Sequence, residues 1–212
     1  KQKTAYEIRL SLVGSEMCIR DRTHAIEAYT SKMANPMSDA QALHAIRLIS
    51  QTLPTAVNDG KNVEARSTMQ SAATLAGWAI GSANVGLVHG MCHTLGARHG
   101  VPHGAGNGIL LPHVMRFNAA FALAAPRLRD VAAALGVNVS GLEPAVAANQ
   151  GADKVAELLK ACHHPLTLRE VNVPEADLAA CSEAAFIDPA NMTNARRVLA
   201  PSEIEALYRG AL

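Results

Sequence analysis

Nine histidines stand in this 212-residue chain, and five of them, His89, His93, His99, His103 and His113, fall between positions 89 and 113. Imidazole titrates near neutral pH and is the commonest protein ligand for a metal ion. His89 and His93 are four residues apart, which sets both on one face of a helix. His89 and His103 are fourteen apart with Gly100-Val101-Pro102 between them. Two helices joined at that turn can bring both rings to one point, as metal sites between facing helices require. His24, on a separate helix, can add a third nitrogen. Spacing alone leaves two readings open, a metal centre or packed core histidines, because the chain has neither an HEXXH nor a CXXC pattern.

The elements that must position these rings read as helices throughout. Thr23 to Lys32 is the end of a helix already under way. Asn35-Pro36 breaks it, and Ser38 is expected as the N-cap of a helix to about Leu53, stopped by Pro54. Ala42, Ala45, Ile46 and Ile49 keep helical spacing there. Asn58-Asp59-Gly60 is a turn. Ser67 to Val88 carries no charge, long enough to raise a membrane-spanning reading. Its Ser67, Thr68, Gln70, Ser71, Thr74, Ser82 and Asn84 favour instead a helix buried on all sides of a soluble core. Further helices are expected from about Leu87 to Arg98, Pro102 to Asn118, Pro126 to Leu135, Glu143 to Cys162, Pro174 to Ala185 and Pro201 to Arg209. The expected fold is an all-α bundle of roughly eight helices.

Composition agrees with that class. Hydrophobic residues make up 49% and charged residues 17%, which excludes disorder through low hydrophobicity. Aromatics are only 3%, and an apolar share carried by Ala, Leu, Val and Ile favours helix over strand. Nineteen basic against eighteen acidic side chains give +1, with no nucleic-acid footprint and no membrane partner expected. Four irregularly spaced cysteines are expected as reduced thiols of a cytoplasmic protein.

The first twenty-two residues, KQKTAYEIRLSLVGSEMCIRDR, lack both a signal peptide's apolar stretch and a transit pattern. KQKTAYEI resembles a translated flow-cell adapter of short-read sequencing, and LVGSEMCIRDR a translated transposon-library adapter, in the correct order. Residues 1–22 are therefore read as an adapter-derived artefact and set aside. Without their five basic and three acidic residues, 14 basic and 15 acidic remain. Residues 23–212 are then expected to be the C-terminal, helical metal-binding domain of a longer protein.

Thr23-His24-Ala25-Ile26-Glu27-Ala28-Tyr29, Val88-His89-Gly90-Met91-Cys92-His93-Thr94-Leu95-Gly96-Ala97, Val101-Pro102-His103-Gly104 and Leu110-Leu111-Pro112-His113-Val114-Met115-Arg116-Phe117-Asn118 resemble the iron-containing alcohol dehydrogenases. That group is similar in fold to glycerol dehydrogenase and dehydroquinate synthase, and the resemblance runs from Thr23 almost to Leu212. It implies NAD(P)-linked hydride transfer between alcohol and aldehyde, and a divalent metal, Fe2+ or sometimes Zn2+, on His24, His89 and His103. It implies a fourth ligand, Asp, at position 20, where Arg20 stands; Asp21 is one residue off, a rotation of about 100° on a helix. It makes His93 the catalytic proton-relay group near substrate and nicotinamide, not a ligand. Asn194-Ala195-Arg196 resembles the family's Asn-Pro-Arg, and Ala190 stands where some members have a pocket-facing Cys. The NAD or NADP site belongs to an N-terminal nucleotide-binding domain outside this sequence, so the chain is expected to be inactive alone. A small alcohol or aldehyde is the expected partner, with a homo-oligomer possible. The rival readings are a zinc glycerol-dehydrogenase-like member and an inert helical fragment.

The remaining features take plainer roles. Gly104-x-Gly106-x-Gly108 has no preceding strand and is expected to serve close helix packing, not phosphate. Cys92 is expected as a packed thiol, and His163-His164 as a solvated helix-end pair. Trp78, Met91, Met115 and Phe117 are expected in the core, and Lys154 and Glu157 on an exposed face.

Overall fold

The structure, a computed structural model, describes residues 17–212. The KQKTAYEI stretch therefore lies outside the described residues, as do residues 12–16 of the second adapter-like piece, whose residues 17–22 open the first helix. Among the described residues there are nine α-helices and no strand. They are α1 (Met17–Thr30), α2 (Pro36–Asn58), α3 (Val63–Ala83), α4 (Leu87–His99), α5 (His103–Ala119), α6 (Ala125–Ala134), α7 (Pro144–Ala161), α8 (Leu178–Phe186) and α9 (Pro201–Gly210). Short 3-10 turns at Arg169–Val171, Glu175–Asp177 and Pro189–Thr193 link the last three.

Three of the expected helix boundaries move, one of them the helix expected from Pro174, which begins at Leu178 after the 3-10 turn Glu175–Asp177. The N-cap of α2 is Asn35, whose Oδ1 accepts from the Met37 and Ser38 amides at 3.1 Å each. Ser38 is the third helical residue, and its hydroxyl accepts from the Asn35 amide at 2.9 Å, completing a capping box. The helix also runs through Pro54 to Asn58. An interior proline costs about 3 kcal/mol. Ile49, Leu53 and Ala56, all buried around it, offset that cost by anchoring both sides of the break.

A larger correction concerns which helix is enclosed. α3 buries only Ala65, Met69, Ala72, Ala76, Ala79 and Ala83, one stripe at helical spacing packed on α1 and α2. Its other face is in water, and Trp78 is 62% exposed instead of in the core. Met91 and Met115 are buried as expected. The helix surrounded on all sides is α1, which packs against α2, α3, α5 and α6. Every residue from Asp21 to Thr30 is buried. No single helix among the described residues is long and apolar enough to cross a membrane; α3 and α4 pass that test only together, bent by 102°. Asn84, at φ 64°, ends α3 and makes the bend.

α4 and α5 form a hairpin through Gly100–Pro102. The glycines of α5 allow its close contacts. A Cβ on Gly106 would lie 2.6 Å from Cys92 Sγ, and one on Gly108 2.5 Å from His164 Cε1. The second contact corrects the expectation of a solvated His163-His164 pair, because His164 is buried under α5. At the other end, the fully buried Tyr208 of α9 donates its hydroxyl to the Met91 carbonyl at 2.7 Å, fixing α9 on α4.

Candidate functional site

α1, α4 and α5 each deliver a histidine to one place. The His24 and His89 ring centroids are 4.9 Å apart with planes at 22°, and those of His89 and His103 are 5.1 Å apart at 59°. With metal–nitrogen distances of ~2.1 Å, two imidazoles on one ion hold their centroids roughly 4.5–5.5 Å apart, so both spacings suit a shared ion. His24 and His89 are buried. Burial and the neighbouring His89 ring push His24 down to about 3, and His103 down to about 4. Both are thus neutral imidazoles, the form a metal binds.

Two side chains that the spacing arguments passed over hold His89. Glu27, three residues after His24 on the same face of α1, places Oε2 against His89 Nδ1. Asn107 of α5, fully buried, brings Nδ2 to 3.4 Å from His89 Nε2. The i, i+3 relation to His24 was the available signal for Glu27; Asn107 had none beyond lying four residues after His103.

The donor set is not complete. Among the described residues no three His, Cys, Asp or Glu side chains are placed to hold a metal ion together. Arg20, one turn before His24, extends its positive charge to both His24 and His103, lowering their pKa values further. Asp21 is buried with Oδ1 at 3.9 Å from His24 Nδ1, and desolvation raises its carboxyl to about 6. The pairs His24–His89 and His89–His103 suit a shared divalent ion in ring type and centroid spacing, but the three donors as placed do not converge on one, and the Arg20 cation works against it.

His93 borders the cluster, its centroid 5.6 Å from that of His103 and 6.0 Å from that of His89. Its Nδ1 is 2.9 Å from Asp188 Oδ2, and its side chain is about half exposed (48%). Asp188 Oδ1 accepts from the Ala190 amide at 2.8 Å, which fixes the carboxylate. Nothing in the sequence linked residues 95 apart. Cys92 Sγ lies 3.5 Å from His103 Nδ1, and burial pushes its thiol up to about 12, as a packed and unreactive thiol requires. His99 turns away to Cys181, 3.5 Å distant, and His113 is half-buried elsewhere on α5.

Asn194 pairs its amide with that of Asn118 at 2.9 and 3.2 Å and accepts from the Leu87 amide at 3.3 Å. Arg196 lies 3.9 Å over the Phe117 ring, and Ala190 is buried. Surface grooves of about 520 and about 490 Å³ share Lys32 and Arg197, and neither is lined by a histidine.

Comparison with known proteins identifies the family and the fold. The profile of the Fe-containing alcohol dehydrogenase family, C-terminal, matches residues 22–212. The 1,3-propanediol dehydrogenase of Klebsiella pneumoniae is 42% identical over 190 residues, covering 89% of this chain and 48% of its own length. The NAD-dependent methanol dehydrogenase of Bacillus methanolicus is 36% identical over 190 residues, covering 90% and 49%. A crystal structure of 1,3-propanediol oxidoreductase superposes with a TM-score of 0.89 at 39% identity, over 93% of this chain and 51% of that one. The chain thus spans about half the length of the curated relatives it matches. With the family profile matched over nearly all of the described residues, this chain belongs to the iron-containing alcohol dehydrogenases and corresponds to their C-terminal helical domain.

Proposed function

We propose that this chain is the metal-binding half of an NAD(P)-linked alcohol dehydrogenase acting on a small alcohol or aldehyde. The observation that carries the reading is the meeting of His24, His89 and His103 from three helices, with His24 and His103 kept neutral by burial. Those three residues would hold the divalent ion, iron or zinc. Such an ion supplies Lewis-acid polarisation of an alcohol oxygen when bound, and hydride chemistry belongs to the nicotinamide. His93, backed by Asp188 and open to solvent on one side, is the group placed to pass a proton between the site and water. With a histidine-only donor set and Arg20 nearby, the ion is held weakly and without preference for iron, which stands low in the divalent series.

Hydride transfer needs donor and acceptor held about 3–3.5 Å apart, and positioning supplies much of the rate. The named relatives are about twice as long, and the second half is proposed to carry the nucleotide. The test is an NAD(P)-linked assay with 1,3-propanediol and other small alcohols, on this chain and on a chimera that adds a related N-terminal domain and Arg20→Asp. Turnover is expected from the chimera alone, and its loss on His89→Ala. Turnover by the bare chain overturns the division of labour. An inactive chimera that binds no zinc leaves histidines that merely pack.

A further inference from the structure

His89 is held from both ring nitrogens, and the two partners do not have equal freedom. Glu27 is buried and spends both carboxylate oxygens as acceptors. Oε1 takes the Val88 amide at 2.8 Å, and Oε2 faces His89 Nδ1. The Val88 amide is one of the orphan donors at the start of α4, where the N-cap residue Gly86 offers no side chain. A Cβ on Gly86 would come to 3.1 Å from Glu27 Oε1, so the bare cap is what lets the carboxylate in.

A carboxylate without a proton can only accept. Nδ1 of His89 must therefore carry a proton, and in the neutral ring Nε2 is the nitrogen that keeps a lone pair. Asn107 stands at the other nitrogen, its side-chain amide 3.4 Å from Nε2, and can serve as donor or acceptor according to the tautomer that Glu27 imposes. The opposite tautomer would set two acceptors against each other at Nδ1, in a buried place where neither could turn to water instead.

We infer that Glu27 is a positioning residue that locks His89 in its Nδ1–H tautomer and thereby aims the Nε2 lone pair at Asn107, where a ligand such as a divalent ion would take the place of the Asn107 amide. The same carboxylate ties the start of α4 to α1, so the ring's orientation and tautomer are set by one group. The metal part of this inference rests on the reading above; the tautomer part does not. A partner on the non-ligating nitrogen of this kind is worth roughly 10–100-fold in metal affinity.

The test uses nitrogen NMR of isotope-labelled imidazoles in the metal-free protein, followed by zinc titration, on the wild type, Glu27→Ala and Asn194→Ala. Asn194 also serves the start of α4, through the Leu87 amide, without touching His89, so it controls for loss of helix anchoring. The wild type is expected to show His89 protonated at Nδ1. Glu27→Ala is expected to shift the ring toward the Nε2–H form and weaken zinc by roughly 10–100-fold, while Asn194→Ala changes neither. A wild-type His89 protonated at Nε2, an unchanged tautomer in Glu27→Ala, or the same changes in Asn194→Ala overturns the inference. Should Glu27→Ala not fold, the wild-type spectrum alone decides. The expected tautomer in a wild type that takes up no zinc supports the role of Glu27 and removes the metal reading instead.

Discussion

Helix α1 carries Arg22, Thr23, His24, Glu27 and Thr30 and is enclosed on every side, whereas α3, uncharged from Ser67 onward, wets half of its surface. The difference lies in what each polar group finds inside. In α1, Thr23 and Thr30 donate to carbonyls one turn back, at 3.2 and 2.9 Å, and Tyr29 donates to Asp130 at 2.8 Å. Glu27 reaches α4. Each polar atom so paired loses little on leaving water. The small residues of α3 make it neutral enough for either environment, and position in the bundle decides. Hydropathy reports the cost of burial without partners, and α1 brings its own.

Charge in the buried stripe of α3 is the most severe way to probe this contrast. Ala76→Glu, at a fully buried position, is expected to lose roughly 3–5 kcal/mol in chemical denaturation, as an unpaired buried charge does. Ser71→Glu on the wet face of the same helix should stay within about 0.5 kcal/mol. Equal effects would mean that α3 is enclosed after all.

Arg22 is the exception within α1 and the next largest effect. It is fully buried, none of its three guanidinium nitrogens has a partner among the described residues, and burial pulls it down to about 10. Arg22→Met keeps the unbranched stem and removes the charge. A gain of roughly 1–4 kcal/mol is expected by the same denaturation assay, the range for exchanging buried ionic groups for apolar ones. A loss would show that the guanidinium is satisfied.

The smallest effect is a dependence on pH. Burial holds His164 below its ordinary pKa, and Arg22 pushes the same way. The unfolded chain therefore binds a proton that the folded chain refuses, and stability falls as pH drops below the unfolded value of about 6.5. His164→Leu should flatten that acid-side slope, read as midpoint against pH. An unchanged slope would assign it to other groups.

Much of the site was legible because histidine spacing and helix punctuation are local. The four-residue step put His89 and His93 on one face, and the Gly-Val-Pro turn returned His103 to His89. Asp188 could not be seen, since it meets His93 only through the packing of the α8 end against α4. Ser38 was misplaced by three residues because Asn35 competes for the same role and Pro36 favours it. Pro54 was overvalued as a stop because local rules leave out the core contacts that hold a helix through a proline. Trp78 was misplaced for the converse reason, an aromatic at a helical position whose face nothing covers.

Trp78 is the only tryptophan in the chain and sits on that uncovered face. Its indole is already hydrated in the native state, so its emission in the folded protein lies close to that of the unfolded one. Denaturation followed by intrinsic fluorescence would look nearly silent while the bundle came apart, and helical ellipticity is the signal that follows the fold. For the same reason the native fluorophore, set outside the histidine cluster, leaves the interior optically dark and free to be reported by a tryptophan placed there.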